Sequence, residues 1–138
     1  MADLAEKIRA ELENIDKVIE EIPSHLILPK LSNLELAGAA ALLHNFYNGV
    51  ENILKQIMVS KNITLTESRT WHRELLEKAV SNKIISEECK NNLGQFLAFR
   101  HFFSHAYAFD LDPEKMEVLI ESIQKVYSLF KKDIQKVI

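Results

Sequence analysis

Leu93-Gly-Gln-Phe-Leu-Ala-Phe-Arg-His-Phe-Phe-Ser-His-Ala-Tyr-Ala-Phe109 is the stretch from which the fold can be read. Five of the chain's seven phenylalanines lie in it: Phe96, Phe99, Phe102, Phe103 and Phe109. Wound as a helix at about 100° per residue, it places Phe96, Phe102, Phe103 and Ala106 within about 60° of Phe99. That is one apolar stripe of the kind a helix buries. Arg100, His101, Ser104, His105 and Tyr107 fall between about 80° and 240°, on the other half. The stretch predicts a helix anchored by aromatics. Its reverse face carries a cation, two imidazoles, a hydroxyl and a phenol.

Working outward, the rest of the chain repeats the helical pattern. Leu4, Ile8, Leu12, Ile15, Val18, Ile19 and Ile22 recur at spacings of three and four and predict a first helix over residues 3–22. Pro23 and Pro29 bracket a connector in which a regular helix is not expected. Ser32 or Asn33 can cap a second helix running to about Val59. Gly38 and its neighbouring alanines promise close approach of another helix. His44, Tyr47, Glu51 and Lys55 share one face of it, suited to a site wall or a subunit contact, with Lys55 read as solvated. A third helix is expected from Glu67 to about Ser81, with Trp71, Leu75, Leu76 and Ala79 inward. Arg69, His72 and Arg73 put positive charge near its start, where the helix dipole prefers anions. Ser86 caps the fourth helix, which enters the aromatic stretch, and Asp110-Leu-Asp-Pro113 ends it and starts the fifth. Met116, Leu119, Ile120, Ile123, Val126, Tyr127, Phe130, Ile134 and Val137 form the fifth helix's apolar face. Five amphipathic helices without strand-like alternation predict an all-α antiparallel bundle.

Composition narrows the functional classes. The 138 residues read as a single domain, 1–138, whose folding buries roughly 70% of the unfolded surface. Net charge is −3, so a broad nucleic-acid-binding surface is not expected and any such contact must be local. A lone cysteine, Cys89, forms no internal disulfide and fits a reducing, cytoplasmic setting. No signal peptide, membrane span, internal repeat or low-complexity tract is evident.

The polar face of the aromatic helix admits several chemistries. His101 and His105 have the i, i+4 spacing of a zinc helix, but Phe102 and Phe103 stand where the glutamate of a zinc protease would be, and no second ligand pair follows. Ser104 adjoins His105, yet helical neighbours diverge by about 100° and no strained turn displays the serine. Phosphoryl chemistry fits better. Arg100 offers a planar fork of donors that matches phosphate. His105 can move a proton near neutral pH. Together they suffice for metal-free RNA cleavage, because the 2′-hydroxyl is a built-in nucleophile. Five residues apart on a helix is about 140°, so the two side chains diverge within one chain. A homodimer that packs two such faces together would reunite them.

The pattern Arg100-x-x-x-x-His105-x-Tyr107, on the fourth of five helices, resembles the HEPN superfamily, in particular the HepT-like toxins. The segments Leu42–Leu54 and Trp71–Leu76 look like the second and third helices of that family, so the resemblance covers most of the chain. It implies a metal-independent endoribonuclease, without a cofactor, acting as the toxin of a type VII-like toxin–antitoxin pair. Arg100 and His105 would be the catalytic pair in a homodimer cleft with RNA as substrate. The partner would be a minimal nucleotidyltransferase antitoxin that transfers AMP onto the motif tyrosine, here Tyr107. Arg100 and Tyr107 are i, i+7, within about 20° of each other round a helix, so AMP on Tyr107 would sit beside Arg100, occupying the cation and repelling RNA. His101, Ser104, Tyr47 and Glu51 are candidate cleft-lining residues. The alternative is a non-catalytic HEPN-like binding module that partners a nucleotidyltransferase.

Overall fold

A computed structural model of the chain describes residues 3–65 and 68–138. It contains α1 (Leu4–Glu21), α2 (Asn33–Ser60), α3 (Trp71–Ser81), α4 (Glu87–His105) and α5 (Pro113–Gln135). Short 3₁₀ helices, His25–Lys30 and Ala108–Asp110, occupy the α1–α2 and α4–α5 connections. No strand occurs among the described residues. The expected all-α bundle is therefore present, with α2 at its centre, packed on α1, α3, α4 and α5.

Local chemistry sets the helix ends. Asp3 caps α1 by accepting from Glu6 N–H. At α2 the cap is Ser32, in a reciprocal box: its hydroxyl accepts from Glu35 N–H at 3.1 Å, and the Glu35 carboxylate accepts from Ser32 N–H at 3.0 Å. The connector after Pro23 is more regular than expected, since His25–Lys30 closes into a 3₁₀ helix with Leu28 fully buried. Helix α3 begins at Trp71, four residues later than the sequence suggests; Glu67 lies outside the described residues. Ser68 and Thr70 both donate hydroxyl hydrogen bonds to Glu74, and such local bonding competes with helix propagation.

The core is apolar and shared by all five helices. Phe46 of α2 sits fully buried between Phe96 of α4, at a centroid distance of 5.1 Å, and Tyr127 of α5, at 6.1 Å. The Tyr127 hydroxyl then donates to the Asp16 carboxylate at 2.7 Å, tying α5 to α1. Close helix approach occurs at Gly49 rather than at Gly38. A Cβ at Gly38 would meet nothing within 4 Å, whereas one at Gly49 would come within 2.6 Å of Ile15 Cγ1. Ile15 is itself buried, so it has little room to yield. Gly49→Val is expected to destabilise the fold by about 1–3 kcal/mol through overpacking of α1 on α2, despite valine's better helix propensity. Urea denaturation checks this, and Gly38→Val should shift the midpoint far less.

Cys89 is fully buried in the first turn of α4. Burial comes first, then the charge and hydrogen bond of Asp133, in pushing its thiol up to about 12. The same Asp133 carboxylate accepts from Ser86 N–H at 2.9 Å and so helps cap α4 from α5. A raised thiol pKa means a neutral, unreactive sulfur at neutral pH. Native protein is therefore expected to resist alkylation by iodoacetamide even at pH 9 and to label stoichiometrically once unfolded. Fast labelling of the native chain would contradict this packing. Among the described residues no helix is long and apolar enough to cross a membrane.

Candidate functional site

The polar row predicted on α2 faces α3 and α4, and it is the inner wall of the site. Arg100, half-buried on α4, donates from Nε to the Asn48 amide oxygen at 3.4 Å. Asn48 in turn meets His44 Nδ1 at 3.4 Å, and the His44 ring lies 5.4 Å from that of Phe103. Asn48 was not among the residues expected here. Its signal was present in the sequence, since it stands one turn after His44 and one before Glu51 on the same stripe. Desolvation, then the Arg100 charge, lowers the His44 pKa against an opposing pull from Glu51. His44 is thereby held neutral, and its stabilising effect is present above the ordinary histidine range and lost on acidification.

One turn further along α2, Glu51 is 2% exposed and pairs with His72 of α3, Oε2 to Nδ1 at 2.7 Å. Arg100 thus receives no carboxylate partner: among the described residues neither ion pair involves it. Tyr47 is fully buried, and its hydroxyl has no hydrogen bond of good geometry. Burial, followed by the nearby Glu51 charge, raises its pKa. Tyr47 and Glu51 therefore support the site from beneath its surface. Lys55 is not simply solvated either, since its ammonium sits over the Trp71 ring at 4.0 Å from the centroid.

The outer face of α4 carries the remaining candidates. His101 and His105 are exposed and meet edge to face at 5.1 Å between ring centroids. Ser104 is exposed, and its hydroxyl donates to the Arg100 carbonyl at 2.9 Å. Helix α4 runs unbroken through both Arg100 and His105. Arg100 is directed at α2 while His105 meets His101 edge to face, so the divergence expected from about 140° of helical rotation persists. No hydrogen bond or ring contact among the described residues joins the two.

Tyr107 departs from the sequence expectation. Helix α4 ends at His105, and Ala106 is extended at ψ 150, so the i, i+7 helical relation of Tyr107 to Arg100 does not exist. Asp110 provides the physical reason. Its carboxylate accepts from Tyr107 N–H at 3.0 Å, and its own N–H donates to the Tyr107 carbonyl at 2.9 Å. This two-way closure folds the chain into a turn before α5. Tyr107 projects from that turn 70% exposed, its ring parallel to Phe109 at 5.4 Å. Phe109 is 72% exposed and takes no part in the core stripe. Phe102, at 42%, also stands largely outside it.

The geometry defines a class: an all-α bundle whose fourth helix presents an arginine without an ion pair among the described residues, an exposed histidine and, just past its end, an exposed tyrosine. A family model described as HepT-like protein matches residues 38–138, well over half of the chain. The chain belongs to the HepT-like family, a HEPN group generally related to ribonuclease toxins. No curated protein and no solved structure matches it.

Proposed function

We propose that the chain is a metal-independent endoribonuclease toxin, a single HEPN-like domain working as a homodimer. The observation that carries this reading is Arg100. It is a cation held on the site wall by a neutral amide, and among the described residues no carboxylate forms an ion pair with it. An unpaired, oriented guanidinium suits a phosphate. His105 supplies the base. Its imidazole takes the proton of a ribose 2′-hydroxyl, and the 2′-oxygen attacks the adjacent phosphorus. Arg100 stabilises the charge of the crowded phosphorane. The bond to the 5′-oxygen then breaks, and that oxygen leaves with a proton from solvent, so a cyclic phosphate remains on one fragment. Because Arg100 and His105 diverge in one chain, a second chain supplies the complementary residue of each cleft.

Tyr107 is the proposed off-switch. A minimal nucleotidyltransferase antitoxin would present ATP to the exposed phenol. The phenolic oxygen bonds to the α-phosphorus, pyrophosphate leaves, and the phenol proton passes to solvent. Standing just beyond His105, the added phosphate would repel RNA from the mouth of the site. The exposure of Tyr107 supports this role.

The test is cleavage of RNA by the purified chain in EDTA, together with growth on induction. Cleavage and growth arrest relieved by a co-expressed nucleotidyltransferase are expected, with the mass of an adenylyl group added at Tyr107. Harmless expression and intact RNA would instead support a binding module that only partners the transferase.

A further inference from the structure

A groove of about 730 Å³ lies between α3 and α4, lined by Arg69, Arg73, Lys90 and Arg100 with His72 and His101. Glu77 is the acid among its lining residues. On a chain of net charge −3 this is a local reversal of sign. Among the described residues only Lys90 of these four cations is in an ion pair, to Glu87 at 3.7 Å. At the start of α3, Thr70 makes no side-chain cap and Glu74 is the acid of the first turn. Clustered like charges repel one another unless an anion is present, which gives this costly arrangement a purpose.

The shape of the cluster points to the kind of anion. The cations are spread along two helices rather than converging on one point, and no Phe, Tyr or Trp lines the groove to stack a single nucleotide's base. Gly94 leaves the α4 wall low, with open space where a Cβ would sit. A spaced row of cations beside a low wall suits a repeating charge. Arg100 stands in both this groove and the site described above.

We infer that the α3–α4 groove is the track along which the phosphodiester backbone of single-stranded RNA runs into the Arg100 site, with Arg69, Arg73 and Lys90 on successive phosphates. The inference deepens the ribonuclease reading and rests on it for the identity of the polymer. His72, fixed by Glu51 through Nδ1, keeps the α3 wall in register with α2.

The experiment measures binding of a fluorescent single-stranded RNA to the full chain in a His105→Ala background, across a salt series. Arg69→Glu with Arg73→Glu is compared with Arg9→Glu with Lys17→Glu, which changes net charge equally on α1, away from the groove. All four arginines and lysines are exposed, so the fold should survive, and circular dichroism checks it. The groove pair is expected to weaken binding on the order of tenfold or more at low salt and to reduce the salt slope by roughly one to two. The α1 pair should stay within about twofold. In the cleaving chain the groove pair should raise KM with kcat little changed. Equal losses from both pairs, unchanged affinity in the groove pair, or no RNA binding at all would overturn the inference. If the groove pair alone weakens binding while the unaltered chain cuts no RNA, the track stands and the ribonuclease reading falls.

Discussion

His105→Ala is expected to lower the rate of RNA cleavage by about two to four orders of magnitude, the usual weight of a general base. Arg100→Ala should cost about two to three, as when one donor to a developing oxyanion is removed. His105 is exposed at the end of α4, so its removal leaves no cavity, and the unfolding midpoint should hardly move. Arg100 is half-buried against Asn48, so a modest stability change is expected alongside the kinetic loss. If both residues serve one step, the double variant should be little worse than the poorer single one. The sharper measurement mixes the two inactive chains. A cleft that takes Arg100 from one chain and His105 from the other is whole once in every mixed dimer. Random exchange would then restore roughly a quarter of the original activity. A cleft built within one chain would regain nothing. Cleavage persisting in both single variants would remove these residues from the chemistry.

The second large effect is structural. Phe46→Ala should destabilise the fold by about 3–5 kcal/mol, because a fully buried ring leaves both lost burial and an unfilled cavity. Phe46 joins α2 to α4 through Phe96 and to α5 through Tyr127, so neighbours on three helices are too constrained to close the gap. The urea midpoint should fall with the slope unchanged, and the melting temperature should drop on the order of 10 °C. Phe102→Ala is the comparison. That ring is 42% exposed, and its loss should cost less than about 1 kcal/mol. Equal effects at the two positions would contradict the packing.

Much of this protein was legible in the order of its residues. Helical periodicity is local, and so the five helices, the caps at Ser32 or Asn33 and at Ser86, and the apolar face of α5 follow from spacing alone. The motif Arg100-x-x-x-x-His105-x-Tyr107 identified the family, and helical rotation alone predicted that Arg100 and His105 diverge. Three features needed the tertiary structure. The end of α4 at His105 depends on Asp110 reaching back to Tyr107, a competition between a turn and one more helical residue that periodicity does not weigh. The close approach at Gly49 instead of Gly38 depends on where Ile15 of another helix falls. Among the described residues Arg100 enters no ion pair, because the nearby buried carboxylate, Glu51, is engaged by His72, twenty-one residues away. A sequence lists cations and acids without saying which will meet. Packing assigns the partners, and here it gives Glu51 to His72 and Arg100 to the Asn48 amide.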